Sequence, residues 1–272
     1  MEKQYTILCI NPGSASTKLA LFRDDVKLDE SSIEHSNDEL RACPDILSQL
    51  PMRRAAVYSY LELHGVSPSS IDAIAARGCP AGRSYRAGAY EIDQSMVEAC
   101  TTPAYAVLPM CLSPVIAYEW VTKYGTPAFS YDVVMVDELK DVARITGLPT
   151  VKRNSSAHTL NTKAVAREVA SELGLSYEDV NLIMCHLGGG CSVSMHERGR
   201  ITDMVPSGEG SFTPFLHRIG KNYFKVHMDP LPSRAPLQPL AHKNVLLWKV
   251  HRKKPARDAP RSRRSYCTPW HQ

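Results

Sequence analysis

The 272-residue chain has no apolar run approaching the roughly 18 residues that a membrane-spanning helix requires, so a helical membrane protein is excluded. None of its eight cysteines stands in a Cys-x-x-Cys pair, and most lie inside apolar runs. That spacing argues against a zinc knuckle or a disulfide framework and for reduced, buried thiols. The N-terminus, MEKQYTILCIN, has a charge pair and then a short strand-like run. It lacks the long apolar segment and cleavage site of a secretory signal, which predicts a cytoplasmic protein. Aromatic residues are few, at 7%, but apolar residues reach 43%, enough for a globular core.

Acidic residues are scarce in one place only. Residues 221–272 hold 12 Lys and Arg against Asp229 and Asp258, whereas the rest of the chain holds 20 bases and 26 acids. The modest net charge of +4 therefore joins two different kinds of sequence. From residue 215 on there are seven prolines in 58 residues and no clean period beyond a short VLLWKV. This composition predicts a basic, proline-rich, largely disordered tail. Such a tail could contact nucleic acid or another acidic surface, although a segment without evolved structure is the plainer reading.

Before that tail, strand-like and helix-like patterns alternate. Strands are predicted at 5–11, 17–23, 71–76, 127–131, 180–186, 190–195 and 200–204. Helices are predicted at 37–50, 53–64, 92–101, 112–124, 137–145 and 156–173. The last has apolar residues at helical spacing, Ser at its start and Gly174 after its end. The alternation, with hairpins at glycine-containing turns, predicts a mixed-sheet α/β protein. Gly147-Leu148-Pro149 interrupts the pattern, and a domain boundary is expected near 148–154.

Two segments read as one device. YTILCINPGSASTKLALF and VNLIMCHLGGGCSVSMHERGRITD are each an apolar strand, a glycine turn with small hydroxyl residues, and a second strand. Glycine lets a backbone come close to an anion, and successive N–H groups in a tight turn form a concave anion site. Ser14, Ser16 and Ser192 add hydroxyl donors, and Lys18 adds a point charge. The triple glycine Gly188-Gly189-Gly190 exceeds what a hairpin turn needs. Together the two loops are expected to grip a phosphate across a cleft between related halves.

These residues carry a family resemblance. ILCINPGSASTKLALF, IDAIAARG, GTPAFSYDVVMVDEL, ARITGLP, AHTLNTKAVAREVA, CHLGGGCSVSMHERGRITD and GEGSFTP, in that order, resemble the butyrate kinases and, more distantly, the acetate kinases over about residues 5–214. The resemblance implies a duplicated ribonuclease-H-like fold, as in actin and other members of that ATPase superfamily, with mixed sheets and an incomplete second domain. It implies a first lobe at 1–150, the start of a nucleotide-binding lobe at 151–214, and a tail at 215–272 outside the family pattern. It also implies ATP, Mg2+, a short-chain carboxylate such as butyrate as acceptor, ADP and an acyl phosphate as products, and a homo-oligomer. An acetate, propionate or branched-chain preference, or a non-catalytic phosphate- or nucleic-acid-binding remnant, are the alternatives. Similarity lapses at CPAGRSYRAG after Gly78 and again at LPMCLS (residues 108–113), recovers each time, and ends for good after Pro214. Reading-frame slips in a coding sequence produce that pattern; an evolved variant with a new tail is the competing explanation.

Transferring a γ-phosphoryl group to a carboxylate needs no general base, because the acceptor's ordinary pKa is about 4. It does need cations, N–H donors and a metal to suppress repulsion between two anions. The resemblance places Asn11 near the metal and the transferring group, and Ser14, Ser16 and Lys18 on the phosphates. It assigns Gly188, Gly189, Gly190 and Ser192 to the second phosphate loop, and Arg77, Asp132, His158 and His186 to the transfer centre, with Glu209 near the nucleotide. Each also has a plainer reading: Asn11 as a turn-former before Pro12, Lys18 as a solvated strand-edge lysine, the two histidines as core residues, Arg77 in a structural ion pair, and Asp132 as a loop carboxylate. Asp137 and Glu138 are expected to open a helix, complementing its dipole.

Overall fold

A computed structural model describes residues 3–80, 84–145, 153–187 and 191–205, together with the backbone of 245–249. The chain divides between Val136 and Asp137 into two compact units.

In the first unit, β1 (Thr6–Pro12), β2 (Ser16–Arg23) and β3 (Val26–Glu34) form an antiparallel meander. β4 (Ala73–Ala76) and β6 (Ala128–Tyr131) then run parallel to β1, and β5 (Ala89–Glu91) closes the edge antiparallel to β6. The sheet order is β3-β2-β1-β4-β6-β5. Alternation in β1, β2 and β4 sends Leu8, Ile10, Leu19, Leu21 and Ile74 into one core. There they meet Val57, Tyr60 and Leu61 of α2 (Leu50–Leu63) and Ile116 and Trp120 of α4 (Leu112–Tyr124). Trp120 is wholly buried and donates its indole N–H to the Pro68 carbonyl at 2.9 Å, so its one polar atom is satisfied. Pro114 sits in the first turn of α4, where a missing N–H costs no helical bond, and Gly125 ends that helix at φ 66°.

The second unit repeats the opening. β7 (Asn181–Leu187), β8 (Cys191–Glu197) and β9 (Arg200–Val205) form another antiparallel meander, with α5 (Thr159–Glu172) ahead of it. The β8–β9 turn puts Arg198 at φ 48° and Gly199 at φ 79°, the pair of left-handed residues that a tight hairpin demands. The outer edge of β7 is paired antiparallel by β10 (Val245–Lys249), the VLLWK of the basic tail.

Besides β10, which lies in the tail expected to be largely disordered, and the division at 136/137 where a boundary near 148–154 was expected, sequence and structure differ among the described residues in the following elements. β3 was not expected, since none of its residues is buried and VKLDESSIE shows no apolar alternation; nor was the three-residue β5. The helix predicted at 37–50 stops early. Ser36 and Glu39 form a capping box for α1 (Asn37–Arg41), and the chain leaves the helix before Pro44. The segment 137–145 holds only a 3-10 turn at Asp141–Arg144, so Asp137 and Glu138 do not serve a helix dipole. Asp137 is held by the guanidinium of Arg144 at 2.7 and 2.9 Å. Glu138 pairs with buried Lys163 at 2.8 Å and accepts the Ile201 N–H. Among the described residues no helix is long and apolar enough to cross a membrane.

Candidate functional site

Parallel strands β1, β4 and β6 lie side by side, so their carboxyl ends fall together. In open α/β sheets that is where ligands bind. Asn11 is at the end of β1, Arg77 follows β4, and Asp132 follows β6. The topology thus brings three of the sequence-predicted residues to one end of one sheet.

Arg77 is fixed through its backbone. Its N–H bonds the Ile10 carbonyl at 2.8 Å, and its carbonyl accepts the Ser113 hydroxyl at 2.7 Å. The next residue must be glycine, because a Cβ at Gly78 would lie 1.9 Å from the Met110 carbonyl oxygen. The LPMCLS segment (residues 108–113) therefore forms the wall behind Arg77: Met110, Cys111, Leu112 and Ser113 are all buried. The Arg77 guanidinium reaches the Asn11 side-chain oxygen at 3.5 Å, and burial lowers its pKa from the ordinary range. Among the described residues no carboxylate forms an ion pair with it. Lys18, on β2, lies directly across from Asn11 in the register and is exposed.

Asp132 is buried and strained. Its φ is 41°, a conformation uncommon for a residue with a side chain. Two bonds to Gly88 hold it there: its N–H to the Gly88 carbonyl, and the Gly88 N–H to its Oδ1, both at 3.0 Å.

Between β1 and β2 the turn 13–16 closes through the Gly13 N–H and the Ser16 carbonyl at 2.7 Å. Gly13 does not take a left-handed φ, and a Cβ there would touch only Ser16. Glycine therefore supplies room above the backbone here, not a special conformation.

In the second unit, three predicted residues converge. The rings of His158 and His186 stack with centroids 3.8 Å apart and planes 11° from parallel. Ser192 Oγ is 2.9 Å from His158 Nδ1 and also takes the His158 N–H at 3.4 Å. The Ser192 hydroxyl thus contacts both the backbone and the ring of His158 and ties β8 to the start of α5. Asn161 Oδ1 lies 2.8 Å from His186 Nδ1, and because an amide oxygen only accepts, that ring nitrogen is the donor. Asn161 was not anticipated; one polar residue on an amphipathic helix gives no signal. Gly188, Gly189, Gly190 and Glu209 lie outside the described residues.

Residues 149–215 match the model of the acetokinase family. Among the relatives, a probable butyrate kinase of Enterococcus faecalis is 42% identical over 211 residues, covering 77% of this chain and 58% of that protein. A probable butyrate kinase of Coprothermobacter proteolyticus is 39% identical over 213 residues, covering 77% and 60%. The chain thus spans about three fifths of the length of these curated relatives. Of the solved structures, acetate kinase of Porphyromonas gingivalis superposes with a TM-score of 0.53 at 18% identity, over 75% of this chain and 57% of that one. A propionate kinase of Francisella tularensis gives 0.52 at 16% identity, over 75% and 57%. At those identities the likeness shows the fold alone: the mixed-sheet, actin-like ATPase architecture.

Proposed function

The chain belongs to the acetokinase family, and from that premise we propose that it acts as a short-chain carboxylate kinase with butyrate as its preferred acceptor. A carboxylate oxygen of the acceptor forms a bond to the γ-phosphorus of ATP while the bond from that phosphorus to the β,γ-bridging oxygen breaks. The products are butanoyl phosphate and ADP, and the step is reversible. What supports this reading is the meeting of Asn11, Arg77 and Asp132 at the carboxyl ends of three adjacent strands.

The roles follow from the chemistry. The acceptor arrives ionised, so the protein must hold two anions together. Arg77, a half-buried guanidinium without an acidic partner among the described residues, offers its planar fork to the acceptor carboxylate or the phosphoryl group. Lys18, Ser14 and Ser16 hold phosphate oxygens from the first loop. His158 belongs to the transfer centre, and Gly188, Gly189, Gly190 and Ser192 to the second phosphate loop. Among the described residues no three His, Cys, Asp or Glu converge to hold a metal by themselves. Magnesium is commonly held through substrate phosphates plus one or two protein oxygens, and the Asp132 carboxylate and Asn11 amide are donors of that kind. When bound, the metal neutralises charge on the phosphate oxygens.

A hydroxamate assay with ATP and acetate, propionate, butyrate or isobutyrate tests the proposal. Turnover should be highest with a four-carbon acid. A preference for acetate would move the chain to another branch of the family. Absence of turnover with every acid, alongside intact phosphate binding, would leave a phosphate-binding module without kinase activity. One methylene in an apolar pocket separates such acids by about 1–3 kcal/mol, so the ranking is measurable.

A further inference from the structure

Helix α2 carries an arginine on its buried face. Arg53 shares that face with Ala56, Val57, Tyr60 and Leu61, and its side chain is wholly buried. Its guanidinium donates to the Ser16 carbonyl at 2.6 Å, Thr17 Oγ1 at 3.2 Å, the Ser14 carbonyl at 3.3 Å and Gln49 Oε1 at 3.0 Å. Every acceptor is neutral, and Nε has no partner. Among the described residues no carboxylate lies within ion-pair distance of it. A buried charge without a counter-ion is costly, and a fold that retains one has a use for it.

The use is legible in the turn in front of it. The carbonyls of residues 14, 15 and 16 all point back into the protein. Arg53 takes those of Ser14 and Ser16, and the His35 N–H takes that of Ala15 at 2.8 Å. Thr17 Oγ1 accepts from Arg53 and lies 2.8 Å from His35 Nε2, which joins the two buried side chains behind the turn. With its oxygens turned inward, the turn offers its donors outward. Ser14 and Ala15 are exposed, and among the described residues neither N–H meets an acceptor.

We propose that Arg53 is the built-in counter-charge of an anion seat formed by turn 13–17, and that the anion is a phosphate group held by the Ser14 and Ala15 N–H groups and the Ser14 and Ser16 hydroxyls. Arg53 never touches the anion. It orients the turn by binding its carbonyls and supplies positive potential through it. The inference rests on the kinase reading only for the source of that phosphate, the nucleotide chain.

The test uses the full chain in phosphate- and sulfate-free buffer, with inorganic phosphate, pyrophosphate and ATP as probes. Pyrophosphate and ATP should move the Ser14 and Ala15 amide resonances and raise the melting temperature, with free phosphate weaker. Arg53→Met should weaken pyrophosphate binding about tenfold or more, whereas Arg53→Lys, which keeps the charge but loses the fork, should retain most of it. A purely structural arginine would lower stability without changing pyrophosphate affinity, and unchanged affinity in Arg53→Met overturns the proposal. Equal loss in Arg53→Lys and Arg53→Met also overturns it, because the bonds and not the charge would then matter. If Arg53→Met does not fold, the lysine variant and the wild-type amide shifts decide; still Ser14 and Ala15 amides under saturating pyrophosphate sink the idea. Arg53-dependent pyrophosphate binding without any hydroxamate formation would defeat the kinase reading and leave the anion seat standing.

Discussion

His196 is wholly buried on β8, between the Tyr177 hydroxyl at 2.6 Å from Nδ1 and the Ser194 hydroxyl at 2.9 Å from Nε2. Burial, and then the positive charges of Lys163 and Arg167, push its pKa from 6.5 down to about 3. A base with a depressed folded pKa leaves the unfolded chain to take up the proton first. Stability is therefore complete above the unfolded pKa and is lost as the pH falls below 6.5 toward 3. Between about pH 8 and about pH 5 this one group should remove about 2 kcal/mol, since each pH unit between the two pKa values is worth about 1.36 kcal/mol. Urea unfolding at both pH values measures the loss. His196→Gln keeps a donor and an acceptor but does not titrate. The pH-dependence of its stability should shrink by that same 2 kcal/mol, whatever constant offset the substitution adds. His35, lowered by burial and by Arg53, adds in the same direction in both proteins and cancels from the comparison. If wild type and His196→Gln lose equal stability over this interval, the buried neutral imidazole is not the cause and the reasoning fails.

Gly78→Ala should destabilise the first unit by about 3 kcal/mol or more, because the new methyl would meet the Met110 backbone and not a flexible side-chain end; thermal or urea denaturation reads it. Asn161→Ala removes the acceptor that fixes the His186 tautomer and should lower kcat about tenfold, the worth of one well-placed hydrogen bond. Asn161→Asp keeps an acceptor at that position and should retain much of the kcat that Asn161→Ala loses, and equal loss in the two variants would remove that bond from the mechanism.

Much of the architecture was written in apolar alternation. β1, β4 and β7 bury apolar side chains at period two, and β2, β6, β8 and β9 are runs rich in apolar residues whose burial departs from that alternation or includes polar groups, such as Ser192, Ser194 and His196 on β8; each was legible as a strand. β3 was not, because it lies at the sheet edge with every residue partly or fully exposed, and pairing alone leaves no hydrophobic trace. The turn at 137–145 looked helical in composition, but its carboxylates are spent on Arg144, Lys163 and the Ile201 amide, partners that only the folded chain brings near. The strand-end residues Asn11, Arg77 and Asp132 could be found because a polar residue directly after an apolar run is conspicuous. Arg53 left a fainter trace, a charged residue in register with Val57, Tyr60 and Leu61 on a helix face otherwise destined for the interior.

The two meanders are finished differently. In the first unit the inner strand β1 gains its second neighbour from β4, later in the same compact unit, while in the second β7 gains it from β10, far along the chain. Hairpins β7–β8 and β8–β9 close over short loops and can zip early, whereas docking β10 must first overcome the entropy of a much larger ring. β10 is therefore the last strand in and the first out, and when it departs, the backbone of β7 beside His186 becomes a bare ledge open to solvent or to another extended chain.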